Sequence, residues 1–272
     1  MAKTPRDICL FCDQKATTGE HLFSRWIRKR FRPPRWSAFT AMDAAYEHRG
    51  YAILQKKNIR RRHPRPITTI KIHVVCHDCN TKWMSILDNT AKPVLLRMIE
   101  GQTTALTASE RQIVAQWIAL KTIVLDAEDE EQSAIPESDR KAVRRGKALP
   151  SQWQIWVGMT GVDDGLACSR QTGHLTLGQP DDSDWAATPN TNNTIFALGR
   201  LFIFVLVGAF PFAEVKRFKA FKKLQPIRAR ARHLHWPPKE RLSDQEVVNL
   251  IRFLKNVSGV PDPFRGMTAP TH

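Results

Sequence analysis

Hydrophobic and polar positions follow two different periods along the chain, which predict helices in some segments and strands in others. The clearest helical pattern covers residues 107–125, where apolar side chains recur every three or four positions. Thr107 or Ser109 can serve as its N-cap. Other predicted helices are 22–31, 82–99, 136–147 and 243–257, the last opened by a capping box of Ser243 with Glu246. Within residues 82–99, Pro93 predicts an interruption, because proline lacks the backbone N–H that a helix interior uses.

Strands are predicted where apolar residues alternate, or run continuously, between turn residues. A short strand is expected at 51–54, and a longer one at 67–75 leads directly into a cysteine pair. Residues 152–179 and 193–210 have strand character, broken by turn-forming segments. This mixture predicts an α+β protein.

The length of the chain predicts two structural units. Single hydrophobic cores stop growing at roughly 250 to 300 residues, and this chain has 272. We expect a first unit at residues 1–104 and a second unit at 105–272, the latter a mixed helix and antiparallel-sheet domain of unassigned role.

Positive charge is concentrated at both ends of the chain. The formal net charge is +16; residues 1–100 carry 20 Lys and Arg against 8 Asp and Glu, whereas residues 101–213 carry 9 against 13. Residues 214–255 are again basic, with 12 against 4. Lys and Arg supply most of the non-specific affinity for nucleic acids, so this distribution indicates a polyanionic partner, most simply DNA, with RNA not excluded.

The sequence offers no export or membrane signal. The first residues, MAKTPRDICLF, lack the features of a signal peptide, and the most apolar stretch, 201–212, is too short for a bilayer span of about 20 residues. We therefore expect a cytoplasmic protein without a membrane partner.

Four of the five cysteines form two Cys-x-x-Cys pairs. The pairs are Cys9 with Cys12 and Cys76 with Cys79. In a reducing compartment such pairs indicate a metal site rather than disulfides, and each pair supplies only half of a tetrahedral zinc site. The sequence predicts one structural Zn²⁺ shared by both pairs, with Cys168 outside it as a buried small residue.

A shared zinc would also bring three other polar residues into one region. Glu20 and His21 follow the first pair, and Asn80 directly follows the second. Carboxylate and amide oxygens suit Mg²⁺ or Mn²⁺, and an imidazole can take a proton from water near pH 7. These residues are therefore equipped for metal-assisted hydrolysis of a phosphodiester.

The order C-x-x-C, an acidic residue followed by His, and then C-x-x-C-N resembles the HNH, or ββα-metal, nucleases, and most closely the phage endonucleases that resolve Holliday junctions. The stretches CLFCDQKATTGEHLFSRW and CNTKWMSILDNTAKP are also similar to HNH-like proteins of bacteria and phages. The resemblance implies a treble-clef, or ββα-metal, zinc module at residues 1–104. It implies that Glu20 and Asn80 hold a catalytic Mg²⁺ or Mn²⁺ and that His21 is the general base of a DNA endonuclease.

The pattern departs from many HNH proteins, because Asn80 stands where a His often follows the last cysteine. His73 could supply a polar group near the metal instead, although a His in a strand is more often a surface residue. A second reading remains open: a zinc-stabilised nucleic-acid-binding or adaptor protein with an inactive HNH site. In either case the expected phosphate contacts are Arg25, Arg28, Lys29, Arg30, Arg60, Arg61 and Arg62.

Overall fold

The structure is a computed structural model that describes residues 8–31, 44–48, 51–55, 67–146, 148–163, 165–177, 187–208, 219–227 and 234–251. Both helices and strands occur in these segments, and the paired strands are antiparallel. The α+β class that the sequence predicts is therefore confirmed for this part of the chain.

Six α-helices occur in the described segments. They are α1 Arg25–Arg30, α2 His77–Cys79, α3 Ser85–Ile99, α4 Ala108–Asp126, α5 Glu137–Arg144 and α6 Asp244–Ile251. A π-helical turn at Asn80–Met84 joins α2 to α3, so the chain is helical without a break from His77 to Ile99. Two 3₁₀ turns lie at Ile67–Thr69 and Lys219–Lys223.

The described segments also contain eleven strands. They are β1 Thr18–His21, β2 Ala44–His48, β3 Tyr51–Gln55, β4 Lys71–Val75, β5 Thr104–Leu106, β6 Trp153–Met159, β7 Leu166–Leu177, β8 Thr191–Leu198, β9 Leu201–Val207, β10 Gln225–Pro226 and β11 Leu234–Trp236. Seven of them form one sheet in the order β10-β6-β9-β8-β7-β3-β2. The pairs β1-β4 and β11-β5 form separate two-stranded sheets.

The centre of the large sheet is the hairpin of β8 and β9. Its turn uses Gly199 at φ +54, a backbone conformation that glycine adopts without a steric penalty. All seven residues of β9 are buried, so both faces of this strand are covered. One face of the sheet, which carries Phe196 and Ile203, is part of the main core. The other face, which carries Trp156 and Phe204, packs against the second 3₁₀ turn and α6.

The main core is continuous from the first cysteine pair to the large sheet. It contains Phe11 and Phe23 from the amino-terminal part, Trp117 from α4 and Phe196 from β8. Strand β3 also pairs with β7, so a segment from the first hundred residues extends the large sheet. The boundary near residue 104 stays a prediction.

Several local predictions are confirmed, one is correct only in part and one is wrong. The strand predicted at 67–75 begins at Lys71, because Ile67–Thr69 forms a 3₁₀ turn. Thr107 caps α4 in a capping box with Glu110, and Ser243 makes the same reciprocal hydrogen bonds with Glu246 before α6. The predicted break in the helix at Pro93 does not occur, since α3 runs through that residue to Ile99. The helix is retained because Val94, Leu95 and Met98 bury one face of it in the core, and this packing outweighs one missing hydrogen bond.

A carboxylate on α3 joins three elements around the core. Asp88 accepts hydrogen bonds from the hydroxyl of Ser24, the residue that precedes α1, and from the indole N–H groups of Trp26, at 3.2 Å, and of Trp117, at 2.9 Å. One side chain thus holds α1 and α4 against α3.

Removal of this carboxylate should destabilise the fold markedly. Asp88→Ala would leave the hydroxyl of Ser24 and two indole N–H groups without their acceptor, and each such loss costs about 1 to 3 kcal/mol where water cannot replace the partner. We expect the free energy of unfolding to fall by about 3 kcal/mol in urea denaturation. The neighbouring exposed residue provides the control: Asn89→Ala should change it by less than about 0.5 kcal/mol. Equal effects of the two changes would contradict this role of Asp88.

Among the described residues, no helix combines the length and the apolar composition that a bilayer span requires.

Candidate metal centre and the adjoining hairpin

The first cysteine pair lies in a tight turn that backbone hydrogen bonds close. The Cys9 N–H donates to the Gln14 carbonyl at 2.9 Å, and the Leu10 N–H donates to the Val74 carbonyl at 2.9 Å. The second of these bonds ties the turn to the strand that precedes Cys76. The first pair is thereby held beside the second.

The second cysteine pair lies at the start of a helix. Cys76 is the N-cap of α2, and its sulfur accepts a hydrogen bond from the Cys79 N–H at 3.4 Å. The helical backbone after Cys76 turns Cys79 back toward the same point. Because only two residues separate Cys76 from Cys79 at the start of α2, the two sulfur atoms lie on the same side of this helix.

The four sulfur atoms form one group. The Sγ atoms of Cys9, Cys12, Cys76 and Cys79 lie within 4.8 Å of one another. Two of the separations, Cys12 to Cys76 at 3.6 Å and Cys12 to Cys79 at 3.7 Å, match the edge of about 3.8 Å in a tetrahedron with Zn–S bonds of about 2.3 Å. The group can hold a metal ion such as zinc, and its donor set fits zinc.

The thiols differ in their acidity without a metal. Burial raises the pKa of Cys79 and of Cys12. Burial also opposes ionisation of Cys76, but the Cys79 N–H and the neighbouring thiols outweigh it and lower the Cys76 pKa. The hydrogen bond from the Cys79 N–H therefore favours the thiolate form of Cys76, the form that binds a metal ion.

Helix α5 supports the first cysteine pair from outside. Arg140 donates to the Leu10 carbonyl at 3.3 Å, and Arg144 donates to the Phe11 carbonyl at 3.2 Å. The Phe11 ring in turn contacts Trp83 edge-to-face, with 5.0 Å between the centroids. Elements that follow both cysteine pairs in sequence therefore fix the geometry of the centre.

A cleft of about 630 Å³ opens on one side of the cysteine group. The described residues that line this cleft do not include the candidate catalytic residues Glu20, His21 and Asn80. The residues that line it are Cys12, Asp13, Gln14, Lys15, Thr17, Cys76, His77, Asp78, Cys79 and Arg144.

Glu20 and His21 point to opposite faces of the hairpin formed by β1 and β4. Adjacent residues of a strand alternate in direction, and Glu20 pairs with Ile72 whereas His21 pairs with Lys71. The Ile72 face is buried and the Lys71 face is exposed. The two candidate residues are neighbours in sequence but face different surroundings.

On the buried face, Glu20 forms an ion pair with Lys121 of α4. The Lys121 Nζ lies 2.7 Å from the Glu20 Oε1, and the two side chains are only 2% and 14% exposed. The carboxylate that the resemblance assigns to a divalent metal is thus held by an ammonium group.

On the exposed face, His21 lies among positive side chains. Its Nδ1 is buried and has no hydrogen-bond partner. Burial, and then the charges of Arg28 and Lys71, lower the pKa of His21. The Glu20 carboxylate and the Ile70 carbonyl raise the pKa of His21, but by less than the other effects lower it. The imidazole is therefore neutral near pH 7, the form that can accept a proton.

The side chains of two β4 residues, Lys71 and His73, cover Gly19 next to His21. A Cβ built on Gly19 would lie 2.6 Å from a Lys71 carbon and 2.9 Å from the His73 Nε2. A larger residue at position 19 would have to displace both of these exposed side chains. His73 thus lies on the His21 face of the hairpin and not on the Glu20 face.

Asn80 is the first residue of the π-helical turn and is bound to the hairpin. Its Nδ2 donates to the Thr18 hydroxyl at 3.2 Å, and that hydroxyl donates to the Val75 carbonyl at 3.0 Å. The β1-β4 register shifts between Thr18 and Gly19, so strand alternation does not assign Thr18, or the Asn80 side chain bound to it, to the face of Glu20. Asn80 is therefore held at the start of β1, two residues before Glu20.

The residues expected to contact phosphates occupy different environments. In α1, Arg25 and Lys29 are exposed, and the buried Nε of Arg28 has no hydrogen-bond partner. Arg30 is paired with Glu100 at 3.1 Å. The expected contacts Arg60, Arg61 and Arg62 lie outside the described residues.

Cys168 lies on β7, away from the cysteine group. It pairs with Phe196 and packs against the main core, and burial raises its pKa. The side chain is partly buried, so the prediction of a buried small residue outside the cysteine group is confirmed only in part.

Lys121 is the residue of this region that the sequence analysis missed. A signal was present, because Lys121 occurs at a core position of the helical pattern, four residues after Trp117 and four before Leu125. A lysine at such a position requires a buried acidic partner. The sequence does not identify Glu20 as that partner, since the two residues are 101 positions apart.

No family model, no curated protein and no solved structure matches the chain. The HNH resemblance stays a prediction from the sequence.

Proposed function

We propose that the protein is a DNA endonuclease that hydrolyses phosphodiester bonds with a divalent cation, and that a structural zinc stabilises its site. The observation that carries this proposal is His21, a partly exposed imidazole at the end of β1 with the cationic side chains of Arg28 and Lys71 beside it. A neutral imidazole beside Arg28 and Lys71 can take a proton from water while the cations attract a phosphate.

The topology of the hairpin and the following helix supports the same proposal. A cysteine turn, two antiparallel strands, a second cysteine pair and a helix occur in the order that a ββα-metal module requires. We infer that this part of the chain forms such a module, with β2, β3 and α1 contained in the connection between its two strands.

The residues proposed to hold Mg²⁺ or Mn²⁺ fit the ion by their chemistry. Glu20 offers carboxylate oxygens and Asn80 offers an amide oxygen, and Asn80 is bound to the strand that carries Glu20. His21 points to the opposite face of that strand, so the base and the metal ligands would have to act from the two sides of the strand end. The ion would stabilise negative charge on the phosphate. The role of the chain itself is to position His21 and to bind the phosphate backbone through α1 and Lys71.

A cleavage assay tests the proposal. Zinc-loaded protein is incubated with supercoiled plasmid and with single-stranded, duplex and branched DNA, in Mg²⁺, in Mn²⁺ or with EDTA. We expect nicking or cutting of at least one substrate with a divalent ion and none with EDTA. Intact substrates under every condition would contradict the endonuclease.

A second candidate function is supported by the Glu20–Lys121 pair. A carboxylate already neutralised by a buried ammonium does not need a metal, which fits a zinc-stabilised protein that binds nucleic acid without cutting it. In the same assay such a protein would shift the mobility of the DNA, lose affinity steeply as salt is raised, and leave the strands intact.

A further inference from the structure

We propose that Lys121 and a divalent cation compete for the Glu20 carboxylate, so that Lys121 sets how tightly the protein binds its catalytic metal. This inference rests on the proposed function, because it concerns the same metal site. It assigns to α4, outside the cysteine and hairpin segments, a direct influence on that site.

The first argument is the position of the ammonium group. The Lys121 Nζ lies 2.7 Å from the Glu20 Oε1, a hydrogen-bonded contact, and its side chain is 2% exposed. A divalent cation would bind the same oxygen at about 2.0 to 2.6 Å. A metal on that oxygen has to displace the Lys121 ammonium, and a metal on the other carboxylate oxygen is repelled by it at close range.

The second argument is electrostatic. A charge removed from water must be compensated, and the buried carboxylate of Glu20 can be compensated by an ammonium group or by a divalent ion. Whichever cation binds first lowers the affinity of the other, and the coupling between two ligands is reciprocal. Lys121 thus keeps Glu20 neutralised when the metal is scarce.

The third argument is that α4 is held firmly in place. Thr107 and Glu110 cap its first turn, and Trp117 anchors its middle to Asp88. The backbone at Lys121 is fixed, and the pairing with Glu20 is set by helix position rather than by a mobile loop. Metal binding therefore has to displace the side chain alone.

Metal affinity, measured without any nucleic acid, tests the competition. Mn²⁺ is titrated into zinc-loaded full-length protein, and free Mn²⁺ is followed by electron paramagnetic resonance. Lys121→Met should bind Mn²⁺ about 5- to 150-fold more tightly than the wild type, the usual range of coupling between two sites. The gain should disappear in Lys121→Met combined with Glu20→Gln.

The matched control removes a lysine that does not contact Glu20. Lys92 is exposed on α3, so Lys92→Met changes the net charge equally and should leave Mn²⁺ affinity unchanged. Equal affinities of the wild type and Lys121→Met, or a gain that persists without Glu20, would overturn the inference and leave Lys121 as a structural partner alone.

A conservative variant covers the case in which Lys121→Met does not fold. Lys121→Arg keeps the charge and adds donors that hold a carboxylate more firmly, so it should weaken Mn²⁺ binding relative to the wild type. Affinity equal to or above the wild type would overturn the inference. Tighter Mn²⁺ binding by Lys121→Met in a protein that cuts no DNA would refute the endonuclease but sustain the competition.

Discussion

Cys76→Ser is expected to release the zinc and to unfold the cysteine-containing part of the chain. Cys76 contributes one of four sulfurs, accepts the Cys79 N–H, and has the thiol with the lowered pKa. Structural zinc sites contribute about 10 to 16 kcal/mol of apparent binding free energy, which is available to folding only while the site is complete. Metal content by mass spectrometry and amide hydrogen exchange across residues 8–31 and 67–99 measure the two losses.

Cys168→Ser is the matched control for this expectation. It removes a thiol from β7 that packs against the core and lies outside the cysteine group. Zinc content should remain at one ion per chain, with at most a small loss of stability from the altered packing. If both variants lost zinc equally, or if purified protein contained no zinc, the assignment of the four cysteines would fail.

His21→Ala is expected to lower the cleavage rate by about 10²- to 10⁴-fold, the usual contribution of a positioned general base. The imidazole has a buried Nδ1 without a partner, so its removal should cost little stability. Zinc content, the urea midpoint and the affinity for uncut DNA in EDTA should therefore stay close to the wild type. Single-turnover cleavage with saturating protein separates the rate of chemistry from binding.

Two further variants make this result specific. His73→Ala removes another imidazole from the same face of the hairpin and should retain most of the activity. Asn80→Ala should raise the Mg²⁺ concentration needed for cleavage, because it removes an oxygen ligand. A wild-type cleavage rate in His21→Ala would contradict the role of His21 as the base. Equal losses of cleavage rate in His21→Ala and His73→Ala would indicate only that cleavage needs a polar or positively charged surface.

The sequence predicted what depends on short spacing. A Cys-x-x-Cys pair constrains its own geometry, so the four-sulfur group followed from two motifs and the chemistry of zinc. The cap at Thr107 and the capping box at Ser243 followed in the same way, since each involves residues three positions apart. Interactions between residues that are close in the sequence were sufficient to predict these features.

The sequence did not predict what depends on distant partners. Nothing near Tyr51 indicates that β3 pairs with β7, more than a hundred residues later. The Lys121 ammonium reaches Glu20 from a helix that is also distant in sequence. The continuity of α3 through Pro93 depends on the core that the helix covers, and a local rule for proline cannot include that contribution.

The long connection inside the β1-β4 hairpin has a consequence for the order of folding. An ordinary hairpin closes within microseconds, but these two strands are separated by the 49 residues between His21 and Lys71, and closure of such a loop carries a large entropic cost. During synthesis both cysteine pairs have emerged once residue 79 is outside the ribosome, so zinc can close the loop early. Strands β2 and β3 within that loop must then wait for β7, about ninety residues further on, before their sheet partner exists. A metal ion at the four cysteines would thus constrain a segment whose own docking comes last, and β3 presents an unpaired edge until β7 is made.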